Sequence, residues 1–246
     1  ISICTMALSN PPRRPARLGL DSLGANPWFA ALPQAERDLL LAHAERQRLP
    51  PGVLLFRQGD PVQVAGSGFF CLVDGLIKVS SLRRDGREAI LAVLEPGNWF
   101  GEISLLDGSP RTHDATALTA IDVLVVPPEA FAAQMQRLAF AQAIAVLLAA
   151  RMRGLSGLME DATLRGLRGR VAHRLLTLAR GDATQSLDVR ATVRLPQEAL
   201  AMMLGITRQT LSRELAALAR DGVLRLGYRR IEILSVDGLQ ALADGA

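Results

Sequence analysis

The 246-residue chain is poor in cysteine, lysine and aromatic side chains. Its two cysteines, Cys4 and Cys71, are far apart in sequence. They can build neither a disulfide framework nor a four-thiolate cluster, so no iron–sulfur cluster is expected and a reducing, cytoplasmic setting is. No Cys/His pair has zinc-ligand spacing, so no metal site is assigned. No run reaches the ~20 apolar residues of a membrane-spanning helix. The best one, Leu138–Ala150, is too short and contains Gln142, so no membrane partner is expected. The chain opens without a signal-peptide pattern: Cys4–Arg17 is polar and carries Pro11, Pro12, Arg13, Arg14 and Pro15. There is no Ser/His/Asp ordering and no Walker loop, so no catalytic residue is assigned and the chain reads as a non-enzyme. Glu102 and Asp114, drawn beside Arg111, are more simply an ion pair or ligand contact.

What is present is ordinary globular material, 49% apolar and 21% charged. The 28 basic residues against 24 acidic ones give +4, but the excess is uneven. Residues 151–246 hold 15 Arg against 10 Asp and Glu, whereas residues 1–150 hold 13 basic against 14 acidic side chains. An anionic partner is therefore expected for the C-terminal part. All basic residues but Lys78 are Arg.

The chain divides by periodicity. Residues 1–25 read as a flexible tail. Residues 26–49 read as helical, opened by Asn26-Pro27 and then Pro33-Gln34-Ala35-Glu36, with Leu39, Leu40 and His43 at helical spacing. From Pro50, short β-type runs alternate with Gly-containing turns: Val53–Phe56, Phe69–Val73, Leu76–Leu82, Ala89–Leu94 and Ile121–Val126. Such frequent turns predict an antiparallel sandwich or jelly roll closing at about residue 136. The period then turns helical, first over Glu129–Gln136 and then over a longer segment, 137–164. There Ala141, Ala145, Leu148, Met152, Leu155, Met159 and Ala162 are spaced 4-3-4-3-4-3, a heptad seam expected to self-associate. Leu148, Met152, Leu155 and Met159 are the candidate dimer contacts. The rest, 165–246, is the last unit, with a helix over Arg165–Arg180 and a loop over Gly181–Ser186.

Within that unit, Gln197–Leu204 reads as a short helix, Gly205 as a tight turn, and Thr207 as the cap of a second helix reaching Arg220. Leu200, Ile206, Leu211, Leu215 and Leu218 can lock the two helices together. Asp221-Gly222 leads into a hairpin, Val223–Leu226 and Ile231–Leu234, which reads as a wing. Helix, glycine turn and helix make a helix-turn-helix, whose second helix presents its first turns to base edges. Thr207, Arg208, Gln209, Ser212 and Arg213 occupy those turns. Arg can bond guanine O6 and N7 together, Gln can pair with adenine, and Ser can donate or accept.

Pro196–Arg220 resembles the DNA-binding domain of the CRP/FNR family of bacterial transcription regulators. So does the chain from about residue 27 onward, through Pro51-Gly52, Arg57-Gln58-Gly59-Asp60, Val73-Asp74-Gly75, Asp85-Gly86-Arg87-Glu88, Pro96-Gly97-Asn98-Trp99-Phe100-Gly101-Glu102 and Leu106-Asp107-Gly108-Ser109-Pro110-Arg111. The resemblance implies an α+β fold: an N-terminal cyclic-nucleotide-binding-like jelly roll, a central dimerisation helix and a C-terminal winged helix. It implies a homodimer on a palindromic site in double-stranded DNA, with RNA polymerase as a further partner and a small-molecule effector. Arg208 and Arg213 fall where family members carry Arg, and Ser212 resembles the FNR branch. Gln209 replaces the family's Glu, which leaves the base preference there open. The half-site implied is FNR-like or mixed, with Arg213 on a guanine.

The same resemblance makes Gly101, Glu102, Ile103, Ser104, Arg111 and Thr112 an effector cassette, with Ser156 from the central helix. Backbone N–H groups and an Arg suit phosphate, and a Glu suits a ribose hydroxyl. Thr112-His113-Asp114 departs from the small apolar residues usual after the Arg. Leu155 stands where cyclic AMP binders place Thr beside Ser156. Cyclic nucleotide, another nucleotide or small anion, and haem on His43, His113 or His173 all stay open as the ligand. The alternative function is a cyclic-nucleotide- or haem-binding sensor acting through a protein partner; an intact winged helix argues against it.

Overall fold

The computed structural model describes Leu23 and residues 26–83, 85–86, 88–181, 189–228 and 230–245. The tail expected over 1–25, Leu23 apart, lies outside these residues, as do Arg87 of the turn motif and most of the loop expected after Gly181.

The N-terminal unit opens with α1 (Pro27–Ala31), whose Asn26 cap accepts a hydrogen bond from Trp28 N at 3.0 Å, and α2 (Gln34–Ala42). The segment expected to stay helical to residue 49 does not. Glu45–Leu49 is strand β1, paired antiparallel with β8 (Ile121–Val126) from Glu45↔Val125 to Leu49↔Ile121. The reason is a period of two hidden among good helix formers. Arg46 and Arg48 share one face, and both bond Asp122 on β8, Arg46 Nε at 2.7 Å and Arg48 Nε at 3.1 Å. The Arg46 hydrogen bond comes first among the causes that hold the Asp122 carboxyl below its usual range.

The other strands are β2 (Leu54–Phe56), β3 (Phe69–Asp74), β4 (Ile77–Leu82), β5 (Glu88–Leu94), β6 (Trp99–Phe100) and β7 (Asp114–Ala117). They form two four-stranded antiparallel sheets in the orders β1-β8-β3-β6 and β2-β7-β4-β5. Phe70, Leu72, Ile77, Leu94, Val123 and Val125 fill the space between them. This is the expected jelly roll. A short helix, α3 (Glu102–Asp107), interrupts it after β6.

Pro127 ends β8, and Pro128 starts α4 (Pro128–Met135), a position that needs no backbone donor. The long helix α5 (Leu138–Leu164) then lies across the outer face of the first sheet. Its Phe140, Ile144 and Leu147 form a buried stripe against Trp28, Phe69, Trp99 and Phe131. Trp28 meets Phe140 edge-on at 6.2 Å and donates from Nε1 to the carbonyl of Ala143 at 2.8 Å, so α1 pins α5 to the sensor. Leu23 is fully buried in the same cluster.

The C-terminal unit packs α6 (Leu167–Ala179), α7 (Gln197–Leu204), α8 (Arg208–Arg220) and α9 (Val236–Asp244) on a three-stranded sheet, β10-β11-β9, of Leu224–Gly227, Arg230–Ile233 and Thr192–Val193. The hairpin is the expected wing; β9 and α9 add to it. This unit shares its core with the jelly roll. Ile90 and Val93 of the edge strand β5 are buried in one cluster with Leu175, Leu200 and Leu204. Arg190 bonds Glu95 at 2.6 Å and the Leu178 carbonyl at 2.8 Å, and Arg174 reaches the Leu91 carbonyl at 3.4 Å.

Phe140→Ala removes the ring that joins α5 to the aromatic cluster. It is expected to cost about 3–5 kcal/mol in equilibrium chemical denaturation. A loss below 1 kcal/mol would show that α5 is held by other contacts.

Candidate DNA-reading face and effector pocket

The reading helix is built from its apolar side outward. Leu211, Leu215 and Leu218 on α8 are fully buried at spacings of four and three. The opposite face is therefore turned to solvent, and it carries Arg208, Gln209, Ser212 and Arg213. Gly205 takes φ +66, the left-handed turn that the helix-turn-helix requires there. Thr207 caps α8: its Oγ1 accepts from Thr210 N at 3.1 Å, so its hydroxyl serves the helix start. Arg170 donates to the Leu204 carbonyl at 2.6 Å and closes the end of α7. Arg168 pairs with Asp221 just past α8.

Gln197, Arg208, Gln209, Ser212 and Arg213 line one open concavity of about 620 Å³. Four of these were singled out from the sequence. The fifth, Gln197 at the start of α7, was not, because nothing in its local pattern separates it from a solvated helix start. Bringing α7 and α8 together across Gly205 puts its amide beside the reading residues.

The second candidate site lies where β6 meets α3. Gly101 caps α3 in the left-handed conformation, φ +92. A Cβ there would come within 3.0 Å of Arg111 Nη1 and of the Gly68 carbonyl, so glycine lets the Arg111 side chain fold against the backbone. Arg111 is 3% exposed. It donates to the carbonyls of Gly101 at 2.6 Å and Gly68 at 2.9 Å and to Ser67 Oγ at 2.8 Å, and its guanidinium lies 4.5 Å over the Phe56 ring. Burial pushes its pKa down to about 10, with Glu102 and Asp60 opposing, so it stays cationic at neutral pH.

Glu102 is completely buried. Its Oε1 accepts from Arg151 Nη1 on α5, and Arg151 Nη2 donates to the Trp99 carbonyl. Among the described residues, two buried polar atoms of this site lack a hydrogen-bond partner, Glu102 Oε2 and Arg111 Nε. Buried polar atoms are nearly always satisfied, so this pair marks a place where a donor and an acceptor can still be taken up. An anionic, hydroxylated ligand fits that requirement.

Of the other expected effector residues, Ser104 is buried and its Oγ donates to the Pro110 carbonyl at 3.1 Å. Ile103 is exposed on α3. Thr112 Oγ1 lies 2.8 Å from His113 Nδ1. Ser156 stands on an exposed part of α5, its Oγ donating to the Met152 carbonyl at 3.0 Å. The three histidines sit on separate elements with separate partners. His43 Nδ1 faces the Leu39 carbonyl, and His173 Nδ1 faces Asp161. Burial lowers the His113 pKa, opposed by Asp114.

The family model for the cyclic nucleotide-binding domain matches residues 46–138, and that for the Crp-like helix-turn-helix domain matches residues 169–242. The chain is 34% identical to the cyclic AMP receptor protein of Thermus thermophilus over 221 residues, 89% of this chain and 98% of that protein. It is 32% identical to a CRP-like cAMP-activated global transcriptional regulator of Mycobacterium tuberculosis over 186 residues, 75% of this chain and 81% of that one. The chain belongs to the CRP/FNR family of transcription regulators. A solved CRP-family regulator from Thermus thermophilus superposes with a TM-score of 0.64 at 29% identity, covering 81% of this chain and 97% of its own. FixK2 from Bradyrhizobium japonicum superposes at 0.70 with 24% identity, covering 81% and 96%, which establishes a common fold.

As a CRP/FNR member the chain is a DNA-binding regulator with a winged helix and a sensor of the cyclic-nucleotide-binding fold. Arg151, the residue through which its long helix touches that sensor's buried carboxylate, was not found by sequence reasoning. It lies 49 residues from Glu102 and looks like any solvated helix Arg.

Removing one partner of a buried ion pair strands the other. Arg151→Met is expected to cost about 3–5 kcal/mol by chemical denaturation, and adding Glu102→Gln to recover most of it. A double-variant loss equal to the sum of the two single-variant losses would show that the pair is not coupled.

Proposed function

We propose that the chain is an effector-responsive homodimer that reads a palindromic operator with α8 of each protomer. The observation that carries this reading is that Arg208, Gln209, Ser212 and Arg213 stand exposed on the face of α8 opposite its fully buried leucine stripe, with Gln197 of α7 beside them. Arg213 is assigned to a guanine, where its fork can bond O6 and N7 together, and Arg208 to a base or phosphate beside it. Ser212 and Gln209 read neighbouring positions, and Thr207 sets the helix start. The net positive charge of the C-terminal part adds salt-dependent attraction to phosphate.

The dimer rests on α5. Met152, Leu155 and Met159 are 66%, 59% and 73% exposed, with Leu148 half-buried beside them. These large apolar side chains fall on the heptad seam, a face that a second copy of α5 covers in knobs-into-holes fashion. Two reading helices then face half-sites about one DNA turn apart, ~34–36 Å. RNA polymerase is the expected further partner, and the cytoplasm the expected location.

The effector assigned to the Glu102–Arg111 site is a cyclic nucleotide. The matched sensor family and the cyclic AMP named in two relatives support it. So do the orphaned Glu102 Oε2, which can accept from a sugar hydroxyl, and the buried cation of Arg111. A ligand bonded to Glu102 Oε2 shares that carboxylate with Arg151, which holds Oε1, and so acts directly on α5, which carries both the seam and the connection to α6. That gives ligand and DNA a common element through which to couple.

Arg213→Ala is expected to lower operator affinity by about 1–3 kcal/mol and to relax preference at one base pair, read by gel shift over a mutated operator series. Unchanged affinity would remove Arg213 from base reading. Met152→Glu with Met159→Glu is expected to give a monomer in analytical ultracentrifugation whose operator affinity falls on the order of 10²-fold, because linked half-site binding is lost. A double variant that still sediments as a dimer would place the interface elsewhere.

A further inference from the structure

Beyond Leu147, α5 buries a single residue, and it is a carboxylate: Asp161, 8% exposed. Leu155, Leu158, Met159 and Leu164 around it are all exposed. The partners of Asp161 lie across the joint between α5 and α6. Arg165 and Gly166, the two residues of that joint, are extended, with ψ 136 and 164. A Cβ on Gly166 would meet nothing within 4 Å, so the joint has no packing there to fix its angle. Asp161 spans the break instead. Its Oδ1 accepts from Arg165 Nε at 2.7 Å, and its Oδ2 faces Nδ1 of the half-buried His173, midway along α6. Arg165 Nη1 in turn lies 3.8 Å from Asp244 at the end of α9. Facing a carboxylate, Nδ1 of His173 carries the proton. Stripping a donor from a buried carboxylate is costly, and hydrogen bonds weaken steeply when bent, so both oxygens stay satisfied only near one angle. From α6 the arrangement passes on to the reading unit. Arg170 holds the Leu204 carbonyl at the end of α7, and Arg168 pairs with Asp221 just past α8.

We propose that the Asp161–His173 bond is the clamp that sets the angle between the dimerisation helix and the DNA-binding unit, and with it the half-site spacing the dimer accepts. His173 is a positioning residue, acting on DNA through α6 and α8. The proposal rests on the reading given above, a dimer on a palindromic operator. The core shared by β5 and α7 keeps the DNA-binding unit against the sensor, and the clamp fixes the angle at which it rests there. Adding one base pair between half-sites moves them apart by about 3.4 Å and turns one against the other by about 35°. A dimer with a clamped joint rejects that change, and a dimer with a loose joint follows it.

The test uses the full-length protein with 3′,5′-cyclic AMP, an operator it selects from random DNA, and two copies of that operator with one central base pair added or removed. Gel shifts give the three dissociation constants. The wild type is expected to bind the native spacing about tenfold or more tighter than either altered one, because only there are both half-sites engaged. His173→Ala is expected to bring the three constants within about threefold of one another. His173→Asn, whose amide N–H stands in place of the imidazole Nδ1–H, is expected to restore the preference. Loss of stability alone weakens binding to all three alike, so a His173→Ala chain that keeps the tenfold preference overturns the proposal. So does a His173→Asn chain as tolerant as the alanine one, or a wild type indifferent to spacing. His173→Leu supplies the same comparison if the alanine chain is not folded by circular dichroism. Selection of sites without two-fold symmetry by the wild type overturns the reading of a dimer on a palindrome, and this proposal with it.

Discussion

The packing of α5 on the sensor constrains nearly everything else in the molecule. Phe140, Ile144 and Leu147 commit one stripe of a 27-residue helix to the jelly roll, and the indole of Trp28 locks its backbone in register through Ala143. Once that stripe is fixed, the helical repeat fixes the rest. Residues one position further on form a second stripe facing solvent, the seam of Met152, Leu155 and Met159. Arg151 falls where the first stripe leaves the aromatic cluster and passes β6 and α3. One helix thus carries three kinds of contact because adjacent stripes of an α-helix point in different directions.

The electrostatics follow from the same placement. A fully buried glutamate is costly unless paired, and Arg151 supplies the pairing from another element. Arg111 is held by carbonyls and aromatic faces. Buried Glu102 and Arg111 therefore sit close together, stabilised by neighbours yet each retaining an unused polar atom. That combination keeps two polar atoms free of partners among the described residues without leaving bare charge in the core. On the reading helix the logic is reversed. Its apolar face is committed to leucine packing, which orients its exposed polar face toward solvent.

Much of this was legible in the sequence. The long helix α5 could be read because Ala141, Ala145, Leu148, Met152, Leu155, Met159 and Ala162 keep a 4-3 spacing. The helix-turn-helix could be read because Gly205 and Thr207 are local signals, a left-handed turn and a cap, that need no tertiary knowledge. The jelly roll showed through its glycine turns. What failed had non-local causes. Glu45–Leu49 contains good helix formers, and it is β through its pairing with the distant strand β8, to which Arg46 and Arg48 add their bonds to Asp122. The two-residue strand β9 is too short to carry a period, and α9 was not recognised. Arg151 and Gln197 matter through neighbours that the chain brings to them from other elements. The sequence reading gave Arg111 to a phosphate; what it could not show is that Nη1 and Nη2 also bond the Gly101 and Gly68 carbonyls and Ser67. Those contacts are a matter of reach, which composition does not encode.

The shared core between β5 and α7 sets a limit on how far the two halves can separate. Fully exposing Ile90 and Val93 would cost roughly 1.5–3 kcal/mol for each side chain, before the matching surface of α7 is counted. Coupling free energies between ligand sites are typically about 1–3 kcal/mol. One effector molecule per protomer is therefore too weak a lever to pull the DNA-binding unit clear of the sensor. A motion within that range is a pivot or slide that keeps those side chains covered.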